Sequence, residues 1–165
     1  DRPLGIGAGQ TISQPYVVAY MTEALNPQPD DVVLEVGTGS GYQTAVLAAL
    51  AHEVISLELV PELAERARRA LDTAGVRNVE VVTGNGWSGY AQRAPFPRII
   101  VTAAPPQLPQ ALVDQLAVGG TMVVPVGTGT QEVVVVTRGE SGIAGRRTIP
   151  VRFVPMLGDD EARRS

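Results

Sequence analysis

The sequence contains no cysteine, no lysine and a single histidine among its 165 residues. Without cysteine there is no disulfide, no thiolate nucleophile and no Cys/His zinc site. Without lysine there is neither Schiff-base chemistry nor a phosphate-binding P-loop lysine. A Ser-His-Asp triad could be built only around His52, which stands alone between Ala51 and Glu53. A bound metal is therefore not expected, and neither is a serine nucleophile that is activated by a histidine.

Two further absences concern basic runs and long apolar runs. The 17 acidic and 13 basic side chains give a net charge of -4 and a pI near 5.0, and no basic run forms a phosphate-binding surface. No apolar run approaches the length that spans a membrane, and the chain opens without a basic-then-apolar leader. We expect a soluble, cytoplasmic, monomeric protein that binds neither nucleic acid nor membrane.

The sequence does contain a regular alternation of short apolar runs with stretches of helical period. This alternation is typical of an α/β fold, in which helices cover both faces of a mostly parallel sheet. Strands are predicted at residues 32–36, 54–58, 79–83, 98–102, 121–126, 132–137 and 147–154, and helices at residues 13–24, 42–51, 61–74 and 108–116. The helical pattern stops after residue 120, which favours an antiparallel C-terminal hairpin. We expect one domain over residues 1–158 and a charged tail at residues 159–165.

The strongest local signal is an apolar strand that leads into three alternate glycines, Gly37, Gly39 and Gly41, and then into a helix. A strand, a glycine-rich turn and a helix N-terminus form a nucleotide-sized cleft at the carboxyl edge of a sheet. The next predicted strand ends in Glu58, where a βαβ unit places a carboxylate for ribose hydroxyls. The spacing G-x-G-x-G differs from the dinucleotide fingerprint, which cradles a pyrophosphate, so S-adenosylmethionine is the favoured ligand.

Glu35 lies beside this glycine loop in the sequence. A carboxylate at that position suits a ligand that carries an ammonium group and a sulfonium, because a nearby negative charge favours cations. The alternative is a buried acid that accepts hydrogen bonds from backbone amides. The sequence supports both interpretations equally.

Four stretches resemble the signature blocks of protein-L-isoaspartate O-methyltransferases, in family order and at similar intervals. They are GAGQTISQPY at residues 7–16, LEVGTGSGYQ at 34–43, IIVTAAPP at 99–106 and VRFVP at 151–155. Many methyltransferases share the glycine block, whereas GQTISQP and VRFVP are much more specific. The resemblance implies a Rossmann-like class I methyltransferase fold. It also implies methyl transfer from S-adenosylmethionine to the α-carboxylate of isoaspartyl residues in damaged proteins or peptides.

The resemblance also implies the positions of the functional residues. Thr11 and Ser13 match the catalytic block that holds the incoming carboxylate, with Ser13 at the position usually assigned to the active site. The implied cofactor-binding residues are Gln10, Gly37, Thr38, Gly39, Gly41, Glu58, Leu59, Asn85 and Gly86. The implied substrate-binding residues are Ile12, Ala103, Ala104, Pro105, Val151, Arg152, Phe153 and Val154.

The sequence departs from the family pattern in three places. Asn85 stands where the family usually has aspartate, and Pro97 stands where an acid is common. Asparagine keeps an acceptor oxygen for the adenine amino group but makes a weaker bond than a carboxylate, so somewhat weaker cofactor affinity is expected. Family members usually carry a helical segment before the stretch that Asp1 matches, and the sequence starts after it.

The implied reaction fits the composition. A peptide carboxylate with a pKa near 4 is ionised by roughly a thousandfold excess at pH 7, so it attacks without a general base. Thr11 and Ser13 could aim this carboxylate by donating hydrogen bonds. Ser13 is equally suited to cap the helix that follows it, because Pro15 lies near the first turn of that helix.

Several other residues keep more than one interpretation. Trp87 and Tyr90 could form a wall of the adenine pocket, pack in the core or contact the substrate. Arg152 could pair with a substrate carboxylate or be a charge on an edge strand. His52 is expected in a surface turn, away from catalysis.

Other functions are less consistent with the sequence or cannot be separated by it. A nicotinamide-dependent oxidoreductase would share the βαβ start but needs a different glycine spacing and a proton-transfer residue. A related peptide-tailoring enzyme that methylates an ordinary aspartate would share every motif. A cofactor-binding protein without turnover would share the cofactor site alone.

Overall fold

The structure, a computed structural model, describes residues 4–7, 10–12 and 14–162. In chain order the strands are β1 Leu4–Gly7, β2 Gln10–Ile12, β3 Val32–Val36, β4 Glu53–Glu58, β5 Val79–Thr83, β6 Phe96–Val101, β7 Leu116–Val126, β8 Gln131–Gly139 and β9 Gly142–Val151. The α-helices are α1 Pro15–Leu25, α2 Tyr42–Leu50, α3 Pro61–Thr73, α4 Gln110–Gln115 and α5 Asp159–Ala162. Among these, no helix is long and apolar enough to cross a membrane.

In the described part of the chain, seven strands form one sheet in the order β5-β4-β3-β6-β7-β8-β9, and β1 pairs with β2 in a separate antiparallel ribbon. The strands from β5 to β7 are parallel, whereas β8 and β9 are antiparallel to their neighbours. The predicted fold class is confirmed. The sequence pattern does not predict the β1–β2 ribbon, whose strands are too short to show a period.

Strand β3 lies at the point where the chain changes direction across the sheet. Its last residue, Val36, pairs with Leu57 of β4 on one side and with Val101 of β6 on the other. The chain passes from β3 to β4 and then returns past β3 to β6. In open α/β sheets, ligands bind outside the carboxyl ends of the strands at such a switch point.

The sheet is buried on both faces, because adjacent strand residues pack into two different apolar clusters. One cluster receives Met21 and Leu25 of α1 and Leu47 of α2, and its strand residues include Val33, Val54, Ile100 and Val123. The other receives Leu112 of α4, and its strand residues include Leu34, Ile55, Ile99 and Met122. Helices therefore cover both faces, as predicted.

Strand β7 begins five residues before its predicted start, at Leu116 rather than at residue 121. Phe96 of β6 pairs with Leu116, but Arg98 pairs with Thr121, so β7 contains an irregular stretch opposite Pro97. Proline has no backbone N–H to donate, and it is tolerated where the ladder is interrupted. Gly119, inside this stretch, has a φ of +81°, which favours glycine.

Two other boundaries affect the site. Helix α1 begins at Pro15 with Gln14 at its N-cap, two residues after the predicted start. Strand β9 begins at Gly142, five residues before its predicted start, and it ends at Val151, so the predicted strand residues 152–154 lie beyond it. The predicted division into a domain and a charged tail stays a prediction, although residues 159–162 form the helix α5.

Two valine-to-alanine substitutions in strands, one at a buried and one at an exposed position, test the assignment of the core. Val33→Ala removes two methyl groups from a fully buried position, and it should lower the free energy of unfolding by about 2 kcal/mol. Val118→Ala, at a position that is 62% exposed, should change it by less than about 0.5 kcal/mol. Urea unfolding of both variants measures the difference. Equal losses would contradict the assignment of the core.

Candidate active site

A pocket opens at the carboxyl edge of β3, β4 and β6, where the sheet topology predicts a ligand site. Its walls come from the ends of these strands, from the turns that follow them and from the chain after β9. The lining residues are Val36, Gly37, Leu57, Glu58, Leu59, Val60, Gly84, Gly86, Ala103, Pro155, Met156 and Leu157.

The glycine loop between β3 and α2 forms one wall of this pocket. The backbone N–H groups of Gly37 and Thr38 both donate to the carbonyl oxygen of Leu57, at 2.8 and 3.2 Å. Gly37 has a φ of +100°, and a Cβ atom there would lie 2.5 Å from the Thr102 hydroxyl oxygen. That hydroxyl donates to the carbonyl oxygen of Gly37 at 2.6 Å. Glycine is therefore required at Gly37 by both conformation and space.

The Glu58 carboxylate connects the glycine loop to the end of β4. Its Oε2 accepts a hydrogen bond from the Gly39 amide at 2.8 Å, and its Oε1 accepts one from the Val60 amide at 3.0 Å. An ionised carboxylate can accept about four hydrogen bonds, so two acceptor sites remain. Because Glu58 also lines the pocket, these sites suit the two hydroxyl donors of a ribose. The residues present fit a nucleoside-bearing cofactor.

Glu35 is fully buried behind the glycine loop and does not line the pocket. Its Oε2 accepts hydrogen bonds from the hydroxyls of Thr44 and Ser56, at 2.6 and 2.7 Å. The Ser56 hydroxyl lies 2.6 Å from that of Thr38, so Thr38 donates to Ser56 while Ser56 donates to Glu35. Oε1 has no partner among the described residues. The interpretation as a buried acid is therefore right about the burial but wrong about the donors, because the hydrogen bonds described at Glu35 come from hydroxyl groups and not from backbone amides.

Burial also changes the acidity of Glu35. Loss of hydration raises the pKa of this carboxyl from 4.5 to about 7, against the opposing effect of hydrogen bonds from Thr44 and Ser56. The negative charge of Glu58 raises the pKa further. Near neutral pH the carboxyl is therefore only partly ionised, which does not favour its interpretation as a fixed anion beside a cationic ligand.

The chain after β9 crosses the carboxyl edge of the sheet and closes the pocket. We call residues 152–156 the cross-edge segment. The Ala104 amide donates to the carbonyl oxygen of Val154 at 2.8 Å, and the Met156 amide donates to that of Ala104 at 3.0 Å. These bonds place Pro155, Met156 and Leu157 in the pocket wall. Sequence reasoning assigns none of these three residues to the pocket, although Pro155 ends the VRFVP block and Met156 and Leu157 follow it directly.

The predicted cofactor residues divide into two groups. Gly37, Glu58, Leu59 and Gly86 line the pocket, whereas Thr38, Gly39 and Gly41 belong to the glycine loop but do not line it. Asn85 does not line the pocket either. Its oxygen accepts a hydrogen bond from the Trp87 amide at 3.0 Å, and its nitrogen donates to Asp159 at 3.1 Å. The contact of Asn85 with adenine stays a prediction.

The predicted substrate residues converge at the edge of the sheet that carries the pocket. Ala103 lines the pocket, and Ala104 and Pro105, which follow it, are buried. Val151 ends β9, while Arg152, Phe153 and Val154 belong to the cross-edge segment. Arg152 is exposed and lines a separate groove with Gln14 and Val17. Because Arg152 follows β9, the edge-strand interpretation does not hold.

The N-terminal block lies only partly within the described residues. Gln10, Thr11 and Ile12 form β2, and Ser13, the predicted catalytic residue, lies outside the described residues. The N-cap of α1 is Gln14, which does not support the capping interpretation of Ser13. The roles of this block stay predictions.

The remaining sequence candidates do not line the pocket. Trp87 and Tyr90 pack against the core, and the Trp87 indole N–H donates to the Met156 carbonyl at 3.3 Å. His52 is exposed in the turn before β4, at the edge opposite the pocket, as predicted. Pro97 lies near the beginning of β6 and therefore also far from the carboxyl edge. The residues from 14 to 161 contain no cluster of three or more acidic or histidine side chains that could hold a metal ion.

The raised pKa of Glu35 predicts a pH-dependent stability. Between about pH 4.5 and 7 the folded protein retains a proton that the unfolded chain has lost, so the free energy of unfolding falls as pH rises. The shift corresponds to roughly 3 kcal/mol in total. Glu35→Gln should remove this slope in urea unfolding measured across that range, whereas Glu23→Gln, on the exposed face of α1, should retain it. Parallel curves for the wild type and Glu35→Gln would contradict the assignment.

Comparisons with curated proteins, with solved structures and with a family profile all relate this chain to one family of methyltransferases. A Gloeobacter violaceus protein-L-isoaspartate O-methyltransferase is 57% identical over 158 residues, which cover 94% of this chain and 77% of the relative. A solved protein-L-isoaspartate O-methyltransferase superposes with a TM-score of 0.84 at 28% identity, over 90% of this chain and 49% of that one. This chain thus spans about half the length of that structure.

A Plasmodium falciparum structure, described as a protein-L-isoaspartate O-methyltransferase in complex with S-adenosyl-L-homocysteine, gives a TM-score of 0.83 at 27% identity. The alignment covers 95% of this chain and 80% of that one. The profile of the protein-L-isoaspartate(D-aspartate) O-methyltransferase family matches residues 1–161, which include the glycine loop, Glu58 and the cross-edge segment. This chain therefore belongs to the protein-L-isoaspartate(D-aspartate) O-methyltransferase family.

Proposed function

We propose that this protein transfers a methyl group from S-adenosylmethionine to the α-carboxylate of isoaspartyl residues in proteins or peptides. The observation that carries the proposal is a pocket at the switch point of the sheet in a chain that matches the family from residue 1 to 161. The complex of the Plasmodium falciparum relative with S-adenosyl-L-homocysteine supports the choice of cofactor.

The pocket suggests how the cofactor is oriented. We place its methionine end along the glycine loop, from Gly37 to Gly41, and its ribose on Glu58. Its adenine then lies near Leu59 and Gly86, which line the pocket beyond Glu58. Met156 and Leu157, in the opposite wall, supply apolar contacts for the ring. Asn85 contributes to this end through the turn that it caps.

The chemistry requires little more than alignment and exclusion of water. When bound, S-adenosylmethionine supplies an electrophilic methyl carbon, whose bond to sulfur breaks with its electron pair as the carboxylate oxygen attacks. The substrate carboxylate is already ionised at neutral pH, so the chain need not remove a proton. We assign Thr11 and Ser13 to the hydrogen bonds that aim this carboxylate, with Ile12, Ala103 and the cross-edge segment beside the peptide. The products are a neutral methyl ester and a neutral thioether.

The biological role follows from the product. The carbonyl of a methyl ester is a better electrophile than that of a carboxylate, because the ester can expel methanol when a backbone amide nitrogen attacks, so esterification prepares the isoaspartyl residue for ring closure and repair. We propose that the protein acts as a monomer in this repair, in the cytoplasm, and that it requires neither nucleic acid nor membrane. The acidic composition and the absence of cysteine support this setting.

The position of the cofactor predicts the effect of a single added methyl group. A Cβ atom at Gly84 would have no neighbour within 4 Å, so Gly84→Ala should leave the stability unchanged. Because Gly84 lines the pocket, the methyl group should still lower the affinity for S-adenosylhomocysteine, by about tenfold. Gly129→Ala, equally uncrowded but outside the pocket, is the matched control. Calorimetric titration measures both, and equal affinities would place the cofactor elsewhere.

The activity is tested with two synthetic peptides that differ only in carrying isoaspartate or aspartate at one position. The protein is incubated with radiolabelled S-adenosylmethionine, and base-labile methyl esters are counted. We expect labelling of the isoaspartyl peptide alone. Labelling of the aspartyl peptide would instead identify a peptide-tailoring enzyme. Labelling of neither, with S-adenosylhomocysteine still bound in a calorimeter, would identify a cofactor-binding protein without turnover on these peptides.

A further inference from the structure

Gln131, the first residue of β8, makes two hydrogen bonds to the backbone of Phe153. Its side-chain oxygen accepts from the Phe153 amide at 2.6 Å, and its side-chain nitrogen donates to the Phe153 carbonyl at 3.0 Å. Gln131 is only 7% exposed, and all the atoms involved are buried. Sequence reasoning gives this residue no role, and the cofactor pocket does not include it.

These two bonds take the place of the backbone hydrogen bonds that a neighbouring strand would make to Phe153. Gln131 pairs with Val151 at the end of the β8–β9 ladder. Continuing that register would place Phe153 opposite Gly129, but residues 127–130 form the turn that leads into β8. Phe153 therefore has no strand opposite its N–H and C=O groups. A buried backbone pair without partners is costly, and the Gln131 amide satisfies both groups at once.

The opposite side of the cross-edge segment is held by Ala104. The Ala104 amide donates to the Val154 carbonyl, and the Ala104 carbonyl accepts from the Met156 amide. Gln131 and Ala104 thus hold consecutive residues of the segment from its two sides. Ala104 fixes residues 154–156, whereas the Phe153 backbone is held by Gln131 in addition to the burial of the Phe153 side chain in the core. The path of the chain between β9 and the pocket therefore depends on Gln131.

We propose that Gln131 is a positioning residue for the peptide substrate. It fixes the backbone of Phe153, so that Arg152 and Val154, the neighbours of Phe153, present one defined surface to the isoaspartyl peptide. This inference rests on the proposed function, which places the peptide beside the cross-edge segment. Gln131 itself does not touch the substrate or the cofactor.

The chemistry of the contact specifies which side chains can replace glutamine. The position needs one donor and one acceptor in the same plane, spaced to match a peptide unit. Methionine has a similar volume but offers neither strong donor nor strong acceptor. A protonated carboxyl offers both, whereas an ionised carboxylate only accepts and would repel the Phe153 carbonyl. Glutamine and neutral glutamic acid can therefore both make the two hydrogen bonds to Phe153, whereas ionised glutamate cannot.

Gln131→Met tests the role directly, with Thr148→Val as the matched control. Thr148 also makes a side-chain bond to the backbone of this hairpin, to the Val133 carbonyl at 2.9 Å, but it lies away from the cross-edge segment. We expect Gln131→Met to raise the KM for the isoaspartyl peptide by about tenfold. Its affinity for S-adenosylhomocysteine should stay within about twofold of the wild type, and Thr148→Val should change neither.

Gln131→Glu supplies a rescue that a general loss of stability would not reproduce. The introduced carboxyl should behave like glutamine when it is protonated and lose the donor when it ionises. The ratio of its peptide KM to that of the wild type should therefore fall towards one from pH 8 to pH 6. Taking the ratio at each pH removes effects of the peptide's own titration. A ratio that does not change with pH would contradict the donor–acceptor role.

Two readouts that do not require turnover separate this inference from the proposed function. Hydrogen exchange of residues 152–156 should be faster in Gln131→Met than in Thr148→Val. Binding of a fluorescent isoaspartyl peptide, with S-adenosylhomocysteine present, should weaken in parallel with the change in KM. A wild type that binds this peptide without methylating it would refute the proposed function alone. Faster exchange with unchanged peptide binding, or unchanged exchange, would overturn the role of Gln131.

Discussion

The candidate site depends on one carboxylate, that of Glu58, at the end of a buried strand. By accepting hydrogen bonds from the amides of Gly39 and Val60, it fixes the glycine loop against the turn that follows β4. The same carboxylate keeps acceptor sites directed at the pocket for a ligand. Because the loop, the strand end and the proposed ribose site share these atoms, a change at Glu58 affects all three.

The other side of the site is built on the same physical requirement, that buried backbone groups find partners. The chain after β9 has no strand beside it, so Ala104 and Gln131 supply its hydrogen bonds. This arrangement brings apolar residues of the cross-edge segment against the end of β3. The pocket thus lies between the ends of the β-strands on one side and, on the other, an irregular segment that Ala104 and Gln131 hold by hydrogen bonds.

The fold and one half of the site could be predicted from the sequence. Hydrophobic periodicity and the glycine loop identify β3, α2 and β4 and place Gly37 and Glu58 at one edge, because these signals are local. The start of β7 and both ends of β9 differ from the predicted boundaries, since they depend on pairing with other strands. Met156, Leu157 and Gln131 carry no local signal, because their roles arise from contacts more than twenty residues away. The burial of Glu35 likewise depends on neighbours from α2 and β4.

The most direct test of the site is a thermodynamic cycle between Glu58 and the ribose hydroxyls. S-Adenosylhomocysteine and its 2′,3′-dideoxy analogue are titrated calorimetrically into the wild type and into Glu58→Gln. If the Glu58 carboxylate accepts hydrogen bonds from both hydroxyls, their removal should weaken binding to the wild type by roughly tenfold to a hundredfold. In Glu58→Gln the same removal should cost less than about threefold. An equal loss in both proteins would contradict the placement of the cofactor on Glu58.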